Sequence, residues 1–129
     1  MREKDWQGFL DRGAGREIAV AQLAPALVSH LGAADDKVYL HHDYAAKAVN
    51  QHGLAAMHFP LIFDTIDFGI AVADRDRHLS FFYFDKETNL GWFQVTVKLA
   101  LTGRLYVATF YKQRQAEVAR RLKLYRAIR

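Results

Sequence analysis

Residues 91–111, GWFQVTVKLALTGRLYVATFY, alternate apolar and polar side chains on either side of a turn signal. Alternation with a period of two marks a half-buried strand, and Leu101-Thr102-Gly103-Arg104 supplies a tight turn. The stretch therefore reads as a hairpin of two strands, Gly91–Leu99 and Leu105–Tyr111. Pairing Leu101 with Arg104 sets the register: Leu99 faces Tyr106, Val97 faces Ala108 and Val95 faces Phe110, which makes one apolar face. The other face carries Gln94 opposite Tyr111 and Thr96 opposite Thr109, with Lys98 one step along. A slip of one residue would mix the two faces, so the pattern itself specifies the pairing. A half-buried sheet ordinarily has a polar outside, which accounts for such a face. A lysine flanked by two hydroxyls and an aromatic ring is also what a phosphate-binding face requires.

Outward from the hairpin the pattern stays β on one side and turns helical on the other. Ile70–Ala73 and His78–Phe84 read as strands joined by a turn at Asp74–Arg77, the second apolar enough to be buried on both faces. Asp85–Leu90 reads as a loop, and Gln113–Ile128 as a closing helix with Val118, Leu122 and Tyr125 inward. Upstream, Lys37–Leu40 is a short strand, and Asp43 stands where a helix N-cap belongs. Tyr44–His52 is a helix stopped by Gly53, with Ala45, Ala48, Val49 and His52 on its inward stripe. Pro60–Phe68 is a second short helix closed by Gly69. Arg16–Leu31 follows helical spacing, kinked or restarted at Pro25 and ended by Gly32, while residues 1–15 read as a polar lead-in. The expected fold is α+β: N-terminal helices on one face of a mainly antiparallel sheet, with a basic C-terminal helix. Residues 1–34 are expected as lead-in and helix, and 35–129 as the α+β domain.

At 129 residues the chain has the size of one ordinary domain, and 51% apolar residues suffice for a core without covalent staples. It contains no Cys, which excludes disulfides, thiolate nucleophiles and cysteine zinc sites, and is compatible with a reducing cytoplasm. The two longest stretches free of charge, residues 18–34 and 48–63, are short for a bilayer span and interrupted by Pro25 and Pro60, so no membrane segment is expected. Charge is unevenly placed. Residues 1–111 hold 11 basic and 13 acidic side chains, whereas residues 112–129 hold seven basic against Glu117 alone. Such a tail is either a solvated helix face or a phosphate-facing patch that includes Lys112, Arg120 and Arg121.

Several common chemistries are missing. Gly13-Ala14-Gly15 lacks the third glycine and the preceding strand of a phosphate loop, and neither Ser29 nor Ser80 sits in a nucleophile elbow. His41-His42-Asp43 places adjacent side chains in different directions, so these read as surface residues beside a helix start rather than metal ligands. His30, His58 and His78 have no evident partner. The strand-borne Arg, Ser/Thr and Glu series of ADP-ribosyltransferases is absent, since Glu87 and Glu117 are the only glutamates after position 20.

A set of short motifs occurs in a fixed order: Val38-Tyr39-Leu40, a helix ending in His52, a proline-containing helix, Arg77-His78-Leu79 followed by Phe81-Phe82, Val95 with Val97-Lys98, and Leu105 to Tyr111 with Arg114 beyond. Over residues 35–129 this resembles the phage-associated barnase–EndoU–colicin–RelE (BECR) nuclease domains found fused to Mu-type phage head morphogenesis proteins. The resemblance implies a toxin-type, metal-independent endoribonuclease with His52, Lys98, Thr109 and Arg114 as catalytic residues; the polar sheet face and the basic tail add Thr96, Tyr111, Lys112, Arg120 and Arg121 as expected RNA contacts. Two departures stand out: Gly53 where relatives often have proline, and His41 where they often have serine. The resemblance further implies RNA as substrate, an acidic immunity or antitoxin protein, association with phage head proteins, no cofactor, no membrane, and a cytoplasmic, virion-borne or delivered protein. In the alternative reading the chain is a non-catalytic RNA-binding or virion-assembly module, and His52 is a core histidine bonded to a backbone carbonyl.

Overall fold

The computed structural model describes residues 2–87 and 90–129. Its elements are α1 (Glu3–Arg12), β1 (Glu17–Gln22), α2 (Pro25–Leu31), β2 (Lys37–His41), α3 (His42–His52), α4 (Leu61–Phe68), β3 (Ile70–Arg75), β4 (His78–Asp85), β5 (Gly91–Leu99), β6 (Leu105–Gln113) and α5 (Gln115–Leu124), with a 3₁₀ turn at Ala56–His58 before α4. The six strands form one sheet in the order β1-β2-β6-β5-β4-β3, antiparallel throughout except where β2 runs parallel to β6. The fold is α+β, as the sequence pattern implies. Part of the loop expected at Asp85–Leu90, namely Thr88 and Asn89, lies outside the described residues.

Two clusters of unequal size hold the sheet. The larger packs Trp6 and Phe9 of α1, Ala45 and Ala48 of α3, and Ile62 and Ile66 of α4 against Phe81, Phe93, Val95, Val97 and Phe110 of the strands. Each fully buried large apolar side chain contributes roughly 1.5–3 kcal/mol, so this face dominates stability. The smaller lies on the opposite face, where Val118 of α5 meets Val72 and Phe82, flanked by Trp92, Leu122 and Tyr125. Residues 1–34 contribute to the same core as the remainder. Among the described residues no helix is long and apolar enough to cross a membrane.

The N-terminal third departs from the pattern reading. Residues 3–12 of the polar lead-in are a helix, because Trp6, Phe9 and Leu10 share one side that packs on the core, and Asp5 accepts the Arg2 backbone N–H at 3.0 Å. The single helix expected over Arg16–Leu31 is a strand and a helix: β1 pairs antiparallel with β2, and α2 begins at Pro25. Proline at the first helical position forgoes a backbone donor that would be unsatisfied there in any case. Gly32 then stops α2 at φ 74°, as expected.

Both ends of α3 are capped. His41, not Asp43, caps α3, its Nδ1 accepting the Asp43 N–H at 3.1 Å, so the imidazole does what a serine would do. Gly53 closes the helix in the left-handed conformation at φ 66°, which costs glycine nothing.

The hairpin register holds for half its length. Gln94 pairs with Tyr111, Val95 with Phe110 and Thr96 with Thr109, but Val97 pairs with Val107, Lys98 with Tyr106 and Leu99 with Leu105. The turn is one residue longer than a two-residue loop: the Ala100 N–H donates to Arg104 O, and Gly103 takes φ 89°. An irregularity beside Ala108 then restores the original register. The two offsets cancel, and between them Leu105 and Val107 enter the core while Tyr106 turns outward beside Lys98.

The closing helix is shorter than expected. α5 ends at Leu124, and the last residues run along β3, with Ile128 N–H donating to Ala71 O at 2.8 Å. The Arg129 guanidinium donates to Ile66 O at 2.6 Å and Gly69 O at 2.7 Å, covering the end of α4.

Candidate active site

The pairing of β4, β5 and β6, with its irregularity beside Ala108, writes three rows of side chains on the sheet face opposite the main core. They are His78–Lys98–Tyr106, Ser80–Thr96–Thr109 and Phe82–Gln94–Tyr111. α5 packs over the end of this face, because Val118 and Leu122 need Val72 and Phe82 as apolar partners. Between helix and sheet lies a cavity of about 240 Å³ whose lining includes His78, Ser80, Thr96, Thr109, Tyr111 and Arg121.

A hydrogen-bond network stiffens its floor. Ser80 Oγ and Thr96 Oγ1 are 3.0 Å apart, and Gln94 Nε2 donates to Thr96 Oγ1 at 3.1 Å. Tyr111 OH and Gln113 Nε2 both donate to Gln94 Oε1, at 3.0 and 2.9 Å. Burial raises the Tyr111 phenol above its ordinary range, so it stays a donor near neutrality. Thr109 is the exception. Its Oγ1 is buried without a hydrogen-bond partner among the described residues, and a buried hydroxyl left so costs about 1–3 kcal/mol.

His52 reaches this floor from the side. It ends α3, which lies along β6, and its ring sits 5.1 Å from the Tyr111 ring at 30°. The inward stripe holds for Ala45 and Ala48, but His52 itself is solvent-exposed, because Gly53 turns the chain away at that point. It is no core histidine.

The remaining sequence candidates divide. Thr96, Thr109, Tyr111 and Arg121 line one cavity, with His52 stacked at its edge. Lys98 shares the sheet face but stands exposed outside the lining, beside Tyr106. Arg114 is exposed at the N-terminus of α5. Lys112 pairs with Phe93 and so points to the opposite sheet face. Arg120 is held by Glu117 through two hydrogen bonds, 2.9 and 2.6 Å, and Arg121 is ion-paired with the buried Asp74 carboxylate. Arg121 is tied within the fold, whereas Arg120 stays exposed on a surface ion pair.

Three cavity residues escape a sequence reading. His78 is buried, and its Nδ1 lies 2.7 Å from Asp76 O, so that nitrogen donates to the carbonyl. Ser80 follows from pairing β4 with β5, which places it opposite Thr96. Arg75 is exposed at the lining and forms no side-chain hydrogen bond or ion pair among the described residues. Nothing local in Asp74–Arg77 distinguishes it from an ordinary turn. Among the described residues no group of three His, Asp or Glu side chains is placed to hold a metal.

No family model, curated protein or solved structure matches this chain.

Proposed function

We propose that the chain is an endoribonuclease of the metal-independent type, acting by attack of a ribose 2′-OH on the adjacent phosphorus. The observation that carries the reading is the His52 imidazole lying against the Tyr111 ring, beside a cavity whose Thr109 hydroxyl has no partner among the described residues. In the proposed reaction His52 takes the 2′-OH proton, O2′ bonds to phosphorus, and the P–O5′ bond breaks. An acid returns a proton to O5′, leaving a 2′,3′-cyclic phosphate and a 5′-hydroxyl. Histidine suits these steps because it holds either protonation state near neutrality. Thr109 would donate to a phosphoryl oxygen, and Arg75 would supply positive charge at the cavity, with Lys98 and Arg114 further out. His78, anchored through Nδ1, is the second imidazole available for proton transfer.

A second reading, a non-catalytic RNA-binding module, is favoured by one feature: Lys98 and Arg114 stand outside the cavity lining. End analysis separates the two. Purified protein in excess EDTA should cut RNA and leave 2′,3′-cyclic phosphate ends. Products ending in 3′-OH, or no cutting in EDTA, would overturn the proposed mechanism.

A further inference from the structure

Beyond the cavity the same sheet face stays open, and it carries an aromatic and cationic cluster. Tyr39 of β2 and Tyr106 of β6 are cross-strand neighbours with ring centroids 6.2 Å apart. The Arg104 Cζ lies 3.8 Å from the Tyr39 ring centre and 5.6 Å from that of Tyr106. Glu17 is ion-paired with the guanidinium at 2.6 Å, which restrains its orientation. Lys98 completes the row opposite Tyr106, exposed and with no side-chain hydrogen bond or ion pair among the described residues.

This cluster exists because of the hairpin offset. With the register of a two-residue turn, Tyr106 would face Leu99 and the core; the longer turn sends it outward next to Tyr39. α5 covers only the other end of the face, so the rings remain half-exposed. Thr96 and Lys98 lie two residues apart on β5 and Thr109 sits one row from Tyr106, so cluster and cavity form one continuous surface.

From this we infer that Tyr39, Tyr106 and Arg104 form a stacking platform for the bases of single-stranded RNA, with Lys98 contacting its backbone. Unpaired bases stack on aromatic rings and guanidinium planes, and a nearby ammonium group follows the phosphates. A platform one row along β6 from Thr109 would hold nucleotides flanking a bond placed at Thr109. A duplex, whose bases are already stacked, gains nothing there. The inference rests on the ribonuclease reading only for which bond is cut, not for RNA binding.

The test is fluorescence anisotropy with a labelled single-stranded RNA of about ten nucleotides, a length typical of sheet-bound strands. A His52→Ala background in EDTA keeps the probe intact. Tyr106→Ala should weaken binding roughly 5- to 150-fold, the usual effect of losing one stacked base. Tyr106→Phe should bind like the parent, and Tyr106→Leu, which keeps bulk without a ring, should behave like alanine. Lys98→Gln should lower the slope of log affinity against log salt by about 1, while Tyr106→Ala should leave the slope unchanged. Parental affinity in Tyr106→Leu, or equal binding of single strand and duplex, would overturn the platform. Ring-dependent binding by a wild-type protein that never cuts RNA would sustain the platform and remove the ribonuclease reading. Cutting by wild type with ring-independent binding would do the reverse.

Discussion

The His52 ring lies 5.1 Å from the Tyr111 ring, tilted by 30°, and joins the end of α3 to the floor of the cavity under α5. One residue comes from the helical half of the chain and the other from its last strand. In the proposed reaction their contact sets the imidazole beside the cavity.

Tyr111 should therefore act through its ring more than through its hydroxyl. Tyr111→Phe removes the bond to Gln94 Oε1 but leaves Gln113 donating to the same oxygen, so it should cost about 1 kcal/mol of stability and little activity. Tyr111→Ala removes the surface on which His52 rests and should lower RNA cleavage well below the phenylalanine variant. Rates measured on the two variants check the order; equal rates would mean the stack does not position His52.

The basic tail should divide by partner. Arg121 is only 18% exposed and pairs with an Asp74 side chain that is 6% exposed, so Arg121→Gln strands a buried carboxylate and should cost about 3 kcal/mol. Adding Asp74→Asn should recover part of that loss in thermal melts. Lys112, Arg114, Lys123 and Arg126 form no side-chain hydrogen bond or ion pair among the described residues. Replacing these four with Gln should flatten the salt dependence of RNA affinity with little change in melting temperature. An unchanged slope would mark the tail as a solvated face.

How far the sequence reveals this molecule depends on where each residue's partners lie. The strands after residue 70 are legible because each pairs with the next one in sequence through a local hairpin. β1 is not. Ile18 and Val20 fit a helical stripe as well as a strand, and only pairing with β2, some twenty residues on, selects the strand. α1 could have been found from Trp6, Phe9 and Leu10 at i, i+3 and i+4, a stripe hidden by its charged neighbours. The hairpin offset is invisible because Ala108 is small enough to suit either face. Of the site, the Thr96–Thr109 pair and the His52 helix end are readable, but the contact of His52 with Tyr111 depends on how α3 lies along β6. Arg120 and Arg121 look like free cations until Glu117 and Asp74 are seen beside them.

His58 should make stability depend on pH. It is buried, its Nδ1 accepts the Ala55 N–H at 2.9 Å, and burial, with Lys112 nearby, holds its pKa below the ordinary imidazole value of 6.5. A protonated ring cannot accept that bond. The unfolded chain therefore takes up the proton first, and the contribution is complete above pH 6.5 and declines as pH falls below it toward the folded-state value. Melting temperatures from about pH 8 down to about pH 5 should fall more in wild type than in His58→Gln. Parallel curves would show that the His58 bond carries no such linkage.

The most direct test of the ribonuclease reading is one sample of His52→Ala on which cleavage rate and melting temperature are both measured. His52 is exposed at a helix end, and no hydrogen bond of its ring is found among the described residues, so its removal should barely move the melting temperature. Cleavage should fall about 10²- to 10⁴-fold, the range for losing a positioned general acid or base. A variant that cuts RNA at the wild-type rate, whatever its melting temperature, would contradict the assignment of His52 to proton transfer.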